Sequence, residues 1–371
     1  MKTRNKKKIP RKIVHKHFRQ DSDGTIVAAN GKILMFGIER FRNEIAFKGS
    51  CFICGVAPGV KPFNDEHILP DWILREFTLH SRKITLPNLS SFSYGEYKIP
   101  CCVDCNSFMG EHFEKPISEA ISEGFEAVVA LFKEKGADYV FNWLALIFMK
   151  THLKDTSLRV ERDRRKNDDR TIGETFYELE TLHHTHCISR SFHTQAIWGD
   201  FVRGSLAIGP AKIMKGIESF DFLDNYPAKS ILLRMNDVFM IAVMNDGQAA
   251  MAHMGPKYLS KMTDGLNILQ LRELFARFSH CALSLETRPT FHSGFDPQAR
   301  YQITARHPKS KTFRDFDGRQ FGYMMWSMCA PILEAAGGVS EIDKNNILEG
   351  NVSYILDENG KFKTDSLIVN G

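Results

Sequence analysis

Apolar residues recur along this chain in two rhythms. Ile117, Ile121, Phe125, Val128, Val129 and Phe132 fall at helical spacing, and Gly136 ends the run; the pattern predicts one amphipathic helix over 117–135. Asp138 can cap a second helix over 139–153. Phe141, Trp143, Leu144, Ile147 and Phe148 make that segment apolar nearly all round, so it should be buried. Leu271, Leu274, Phe275, Phe278, Ala282 and Leu285 predict a helix over 268–286, and a Met-rich apolar stretch over 320–336 stops at Gly337-Gly338. Shorter runs predict strands. Residues 25–28 and 32–36 flank Asn30-Gly31, a hairpin signal because both residues tolerate positive φ. Residues 230–254 read as a second hairpin region, with strands at 230–234, 238–244 and 248–254 and a turn at Asn245-Asp246-Gly247. Residues 301–305 read as a strand, and residues 71–80 as a short helix with Trp72, Ile73 and Phe77 inward.

Between 154 and 173 the rhythm disappears into a charge-dense stretch that includes Glu161-Arg162-Asp163-Arg164-Arg165-Lys166. A run of this kind predicts a linker. The expected organisation is therefore α+β in two parts: residues 21–153, a linker over 154–173, and an α+β domain over 174–371 whose role is not legible. No 18-residue apolar run predicts a membrane span, and the basic N-terminus lacks the apolar segment of a secretory signal. Cytoplasm is the expected location.

Candidate chemistry concentrates between Cys51 and Glu114. Cys51-Phe-Ile-Cys54 and Cys102-Val-Asp-Cys105 are two Cys-x-x-Cys pairs. A two-residue gap lets one turn present both sulfurs to one ion, and four thiolates make a closed tetrahedral zinc site. Cys101 competes with Cys102 but leaves a three-residue gap to Cys105. Between the pairs lies Glu66-His67-Ile68-Leu69-Pro70, and Asn106 follows the last cysteine. An imidazole such as His67 suits a general base near neutral pH. Glu66 and Asn106 supply the hard oxygens that Mg²⁺ or Mn²⁺ prefers.

Together these pieces resemble the zinc-stapled branch of the HNH endonucleases, the ββα-metal or treble-clef nucleases. The resemblance covers about a sixth of the chain. It implies a small zinc-bound ββα-metal module with flanking helices over 21–153. It also implies hydrolysis of phosphodiester bonds in nucleic acid, expected to be DNA. His67 would be the general base, Glu66 and Asn106 would bind a catalytic Mg²⁺ or Mn²⁺, and Cys51, Cys54, Cys102 and Cys105 would bind a structural zinc. Two departures stand out. The family's acid is more often Asp than Glu, and its base-orienting asparagine has only Asn88 as a counterpart here. His112 and Glu114 on the following helix could approach the metal, or simply form a solvated face.

Charge adds a partner. The net charge is +5, yet residues 1–20 hold nine Lys/Arg and no acid, leaving 40 basic against 44 acidic residues elsewhere. A basic arm, expected to be disordered, on a mildly acidic body fits electrostatic attachment to phosphate, or a solvated tail. Two other functions are compatible with the chain: a zinc-dependent nucleic-acid-binding protein without catalysis, and a nuclease effector gated by a signal that the C-terminal half senses, as in phage defence. That half could also serve as a homo-oligomer or protein-partner surface. His183, His184, His186, Cys187 and His193 form a ligand-rich run, but their spacing matches no metal motif and predicts surface and partly buried histidines.

Overall fold

The computed structural model describes residues 13–14 and 17–364. Most of the basic arm expected over 1–20 lies outside the described residues. The chain forms a mixed α+β structure of several small sheets and many helices. It divides into two compact units, each assembled from separate segments. The first contains residues 1–114, 145–198 and 293–303, and the second 115–144, 199–292 and 304–371. Among the described residues, no helix is long and apolar enough to cross a membrane.

In the first unit, Asn30-Gly31 joins strands Ile26–Ala28 and Ile33–Met35, which pair antiparallel in a four-stranded sheet. Strand Phe63–His67 pairs antiparallel with Lys98–Cys102, in the register Glu66 to Ile99 and His67 to Lys98. Helix Val103–Met109 follows directly. The first of these strands ends at His67, and Pro70 leads into helix Asp71–Glu76, which buries Ile73 and Leu74. The segment between the cysteine pairs thus folds back on itself and returns Cys101 and Cys102 to the neighbourhood of Cys51 and Cys54.

The stretch over 154–173 is not where the chain passes between units; it belongs to the first unit. Its charges are satisfied locally. Arg165 pairs with Asp163, Arg170 with Asp168 and Lys166 with Glu161. Thr171 and Glu174 form a capping box at the start of helix Ile172–Thr175. A folded, solvent-facing loop rich in short-range ion pairs has the same composition as a linker, and composition alone does not separate them.

The second unit is built on a four-stranded antiparallel sheet in the order Ser205–Pro210, Val238–Val243, Ser230–Met235, Phe220–Asn225. The two central strands are buried throughout, and helix Ile268–Ser284 packs against them. Three expectations change here. The single helix over 117–135 is two helices, Lys115–Glu123 and Phe125–Lys135, broken at Gly124. That glycine has φ +94°, a conformation that other residues resist. The Asp237 carboxylate accepts the freed Phe125 N–H at 3.1 Å. Residues 248–254, read as a strand, begin helix Ala249–Lys257. Asp246 accepts from the Ala250 N–H at 2.7 Å and the Gln248 N–H at 3.2 Å, and so caps that helix. The hairpin turn lies earlier, between Met235 and Val238.

Candidate functional site

The first pair of cysteines sits in a tight knuckle. Gly55, at φ +77°, donates its N–H to the Cys51 carbonyl at 2.8 Å, and the Cys51 N–H reaches the Val56 carbonyl at 2.9 Å. A Cβ at position 55 would strike the Phe36 ring, so both backbone angle and space call for glycine. The second pair spans the end of strand Lys98–Cys102 and the first turn of helix Val103–Met109. The sulfurs of Cys51, Cys54, Cys102 and Cys105 all lie within 4.8 Å of one another. A tetrahedral zinc with Zn–S bonds of about 2.3 Å sets its sulfurs roughly 3.8 Å apart, and Cys54 and Cys102 are separated by 3.7 Å. Donor type, number and spacing therefore fit a structural metal such as zinc. Cys101 remains close, with its sulfur 3.8 Å from that of Cys51. None of the eight cysteines is in a disulfide.

A second structure supports the knuckle from behind. Helix Leu179–Ser189 carries His183 and His186, and Arg190 follows it. His183 and His186 meet the carbonyls of Phe36 and Phe52, each at 2.7 Å. The buried Arg190 guanidinium donates to the carbonyls of Ile53, Ile33 and Leu34. The histidine-rich run thus holds loop backbone, and among the described residues His183, His184, His186 and His193 join no cluster of metal-ligand type.

His67 stands at the end of its strand, half-buried. Successive strand residues face opposite sides, and the structure separates Glu66 from His67 accordingly. Glu66 turns inward, where its Oε1 accepts from the Lys150 ammonium at 2.6 Å. The same ammonium donates to the His67 carbonyl at 2.8 Å. Asn106, in the first turn of its helix, donates to the Asn64 side chain at 3.0 Å. Asn88 spends its amide on the Arg159 carbonyl at 2.8 Å and its oxygen on Ser90. The structure brings His67 together instead with Asp71 and His80, whose ligand atoms all lie within 4.8 Å.

In this group the Asp71 carboxylate accepts from His80 Nε2 at 3.0 Å. It lies 3.8 Å from His67 Nδ1, an ion-pair distance too long for a hydrogen bond. Burial and the cross-strand Lys98 push the His67 imidazole below the ordinary histidine value, against the opposite pull of Asp71 and Glu66. Burial raises Asp71, but the hydrogen bond from His80 and the Arg75 guanidinium outweigh it and hold that carboxyl below its usual range. Glu114 is pushed up to about 7 by burial, with the Lys150 charge opposing and Glu66 and Asp71 adding to the rise. His112 packs its ring against Phe108, Phe113 and Phe192.

Sequence reasoning missed Asp71, His80 and Lys150. Asp71 had a signal, since it stands four residues past His67 at the start of a helix. Lys150 had none, because a lysine in an apolar helix carries no mark of its partner. No family model, curated protein or solved structure matches this chain.

Proposed function

We propose that the first unit is a metal-dependent nuclease of HNH type, with a zinc-stapled hairpin and helix that display His67 to a phosphodiester. The convergence of His67, Asp71 and His80 within 4.8 Å, at one end of a hairpin whose other end carries Cys102 of the four-cysteine cluster, is the observation that supports this reading. The succession of strand Phe63–His67, strand Lys98–Cys102 and helix Val103–Met109 agrees with a ββα-metal arrangement.

His67 is the general base in this reading. Its depressed basicity keeps the imidazole neutral at pH 7, free to take the proton of an attacking water. The divalent ion is assigned to Asp71 and His80, because Lys150 already holds the Glu66 carboxylate and the Asn106 amide is bonded to Asn64. Such an ion would polarise the phosphate and stabilise the leaving oxygen. A carboxylate paired with an imidazole suits Mn²⁺ better than Mg²⁺, which favours all-oxygen shells. Glu66 takes a positioning role: through Lys150 it fixes the backbone carbonyl of His67. The substrate is nucleic acid, and the basic residues of 1–20 would add sequence-independent phosphate contacts.

The test is a cleavage assay on plasmid DNA, linear DNA and RNA with zinc-loaded protein, with Mn²⁺, with Mg²⁺ and with neither. Metal-dependent cleavage that His67→Ala abolishes is the expected result. Binding without cleavage under every condition would instead make the first unit a zinc-dependent nucleic-acid-binding module.

A further inference from the structure

The second unit contains a cavity of about 270 Å³ between helix Ala249–Lys257, helix Ile268–Ser284 and the segment over 313–316. Four aromatic rings line it: Tyr258, Phe313, Phe316 and Phe321. Lys257 and Arg314 are exposed along it, and neither forms an ion pair among the described residues. Arg314 uses one nitrogen on the Leu283 carbonyl and keeps its remaining donors. Arg277 is committed elsewhere: it lies 4.6 Å from the ring centres of both Tyr258 and Phe321 and is bonded to Glu273. The one carboxylate among the lining residues is Asp315.

One ring in this cavity is left largely uncovered. Phe316 is 60% exposed although its ring lies 5.1 Å from that of His280 and 5.6 Å from that of Phe321. A ligand with a flat ring would cover Phe316. An anionic group on the same ligand would meet Lys257 and Arg314. The volume lies just below the usual range of about 300–1,000 Å³ for small-molecule sites, so one mononucleotide is a better match than a strand.

We propose that this cavity binds a nucleoside monophosphate, with the base against Phe316 and the phosphate at Lys257 and Arg314. The site goes beyond the nuclease reading and does not depend on it. Calorimetric titration of the full chain carrying His67→Ala tests it, because that background removes a rival group at the proposed cleavage site. The four common nucleoside monophosphates are compared with adenosine, with inorganic phosphate and with a short oligonucleotide. At least one monophosphate should bind once per chain, about tenfold or more tighter than adenosine or phosphate alone. Lys257→Ala with Arg314→Ala should weaken it by about tenfold or more, as expected for the loss of charged hydrogen bonds. Both residues are exposed, so this variant should fold; an unchanged melting temperature checks that. Phe316→Ala should weaken the nucleotide but not inorganic phosphate. Absence of binding at millimolar concentration, equal binding by the double variant, or binding of the oligonucleotide alone would each overturn the proposal.

Discussion

Lys150 and Glu66 form a buried ion pair at 2.6 Å, although 83 residues of chain lie between them. Lys150 sits on helix Ala137–Thr156 directly after the apolar run from Leu144 to Met149, and both side chains are at least nine-tenths buried. A lone charge there would be costly, and the pair is tolerable because each neutralises the other. Its second bond, to the His67 carbonyl, ties the catalytic candidate to the core. Glu66 thus carries structure, and the His67 imidazole stays outside the pair.

This division predicts opposite phenotypes at adjacent positions. Glu66→Ala strands the Lys150 ammonium and should cost about 3–5 kcal/mol of stability, read as a clear fall in melting temperature. His67→Ala should change stability by less than about 1 kcal/mol and lower cleavage by about 10²–10⁴-fold. Equal destabilisation by the two variants would contradict the assignment. Because burial holds His67 below its ordinary value of 6.5, the acid limb of the cleavage profile should lie below pH 6.5. An acid limb above that value would argue for another base.

The cysteine site predicts one tightly held zinc per chain, measured by elemental analysis after purification without chelator. Cys102→Ser and Cys105→Ser should lose it and unfold the first unit, since metal binding and folding are coupled in small thiolate sites. Cys101→Ser should keep it, because the neighbouring Cys102 closes the four-sulfur cluster. Zinc lost from Cys101→Ser and retained in Cys102→Ser would exchange the two assignments.

Glu114 predicts a pH dependence of stability. Its carboxyl is raised from 4.5 to about 7 in the folded protein, first by burial. The folded state therefore binds the proton more tightly than the unfolded chain, and this group's contribution to stability falls as pH rises from about 4.5 to 7. The full effect is roughly 3 kcal/mol at about 1.36 kcal/mol per unit. Glu114→Gln should be more stable than wild type at pH 8 and should flatten denaturant midpoints across that window. A wild-type midpoint that rises through the window, with Glu114→Gln parallel to it, would refute this.

Arg190 should matter to the metal site without touching it. Arg190→Met removes charged hydrogen bonds to the carbonyls of Ile53, Ile33 and Leu34. The expected loss is on the order of 3 kcal/mol, together with faster zinc release to a chelator. Unchanged release with lowered stability would confine Arg190 to the sheet and exclude a role at the knuckle.

Much of this protein is legible from local sequence. The cysteine pairs, Gly55 and Asn30-Gly31 are short-range signals: cysteines with only two residues between them lie close in space, and positive φ selects glycine wherever the chain folds that way. The helices over 137–156 and 268–284 follow from apolar periodicity, which reports burial of one face or of all faces. Other features were settled by tertiary contact. The break at Gly124 is held by Asp237, over a hundred residues away. The apparent linker over 154–173 lies within the first unit, and its charges pair among themselves. The partner of Glu66 is Lys150, and the neighbours of His67 are Asp71 and His80 rather than Glu66 and Asn106. Periodicity records whether a side chain is buried, whereas the pairing of polar groups depends on distances that only the closed chain sets. The four-cysteine cluster could therefore be read in advance, but the company kept by His67 could not.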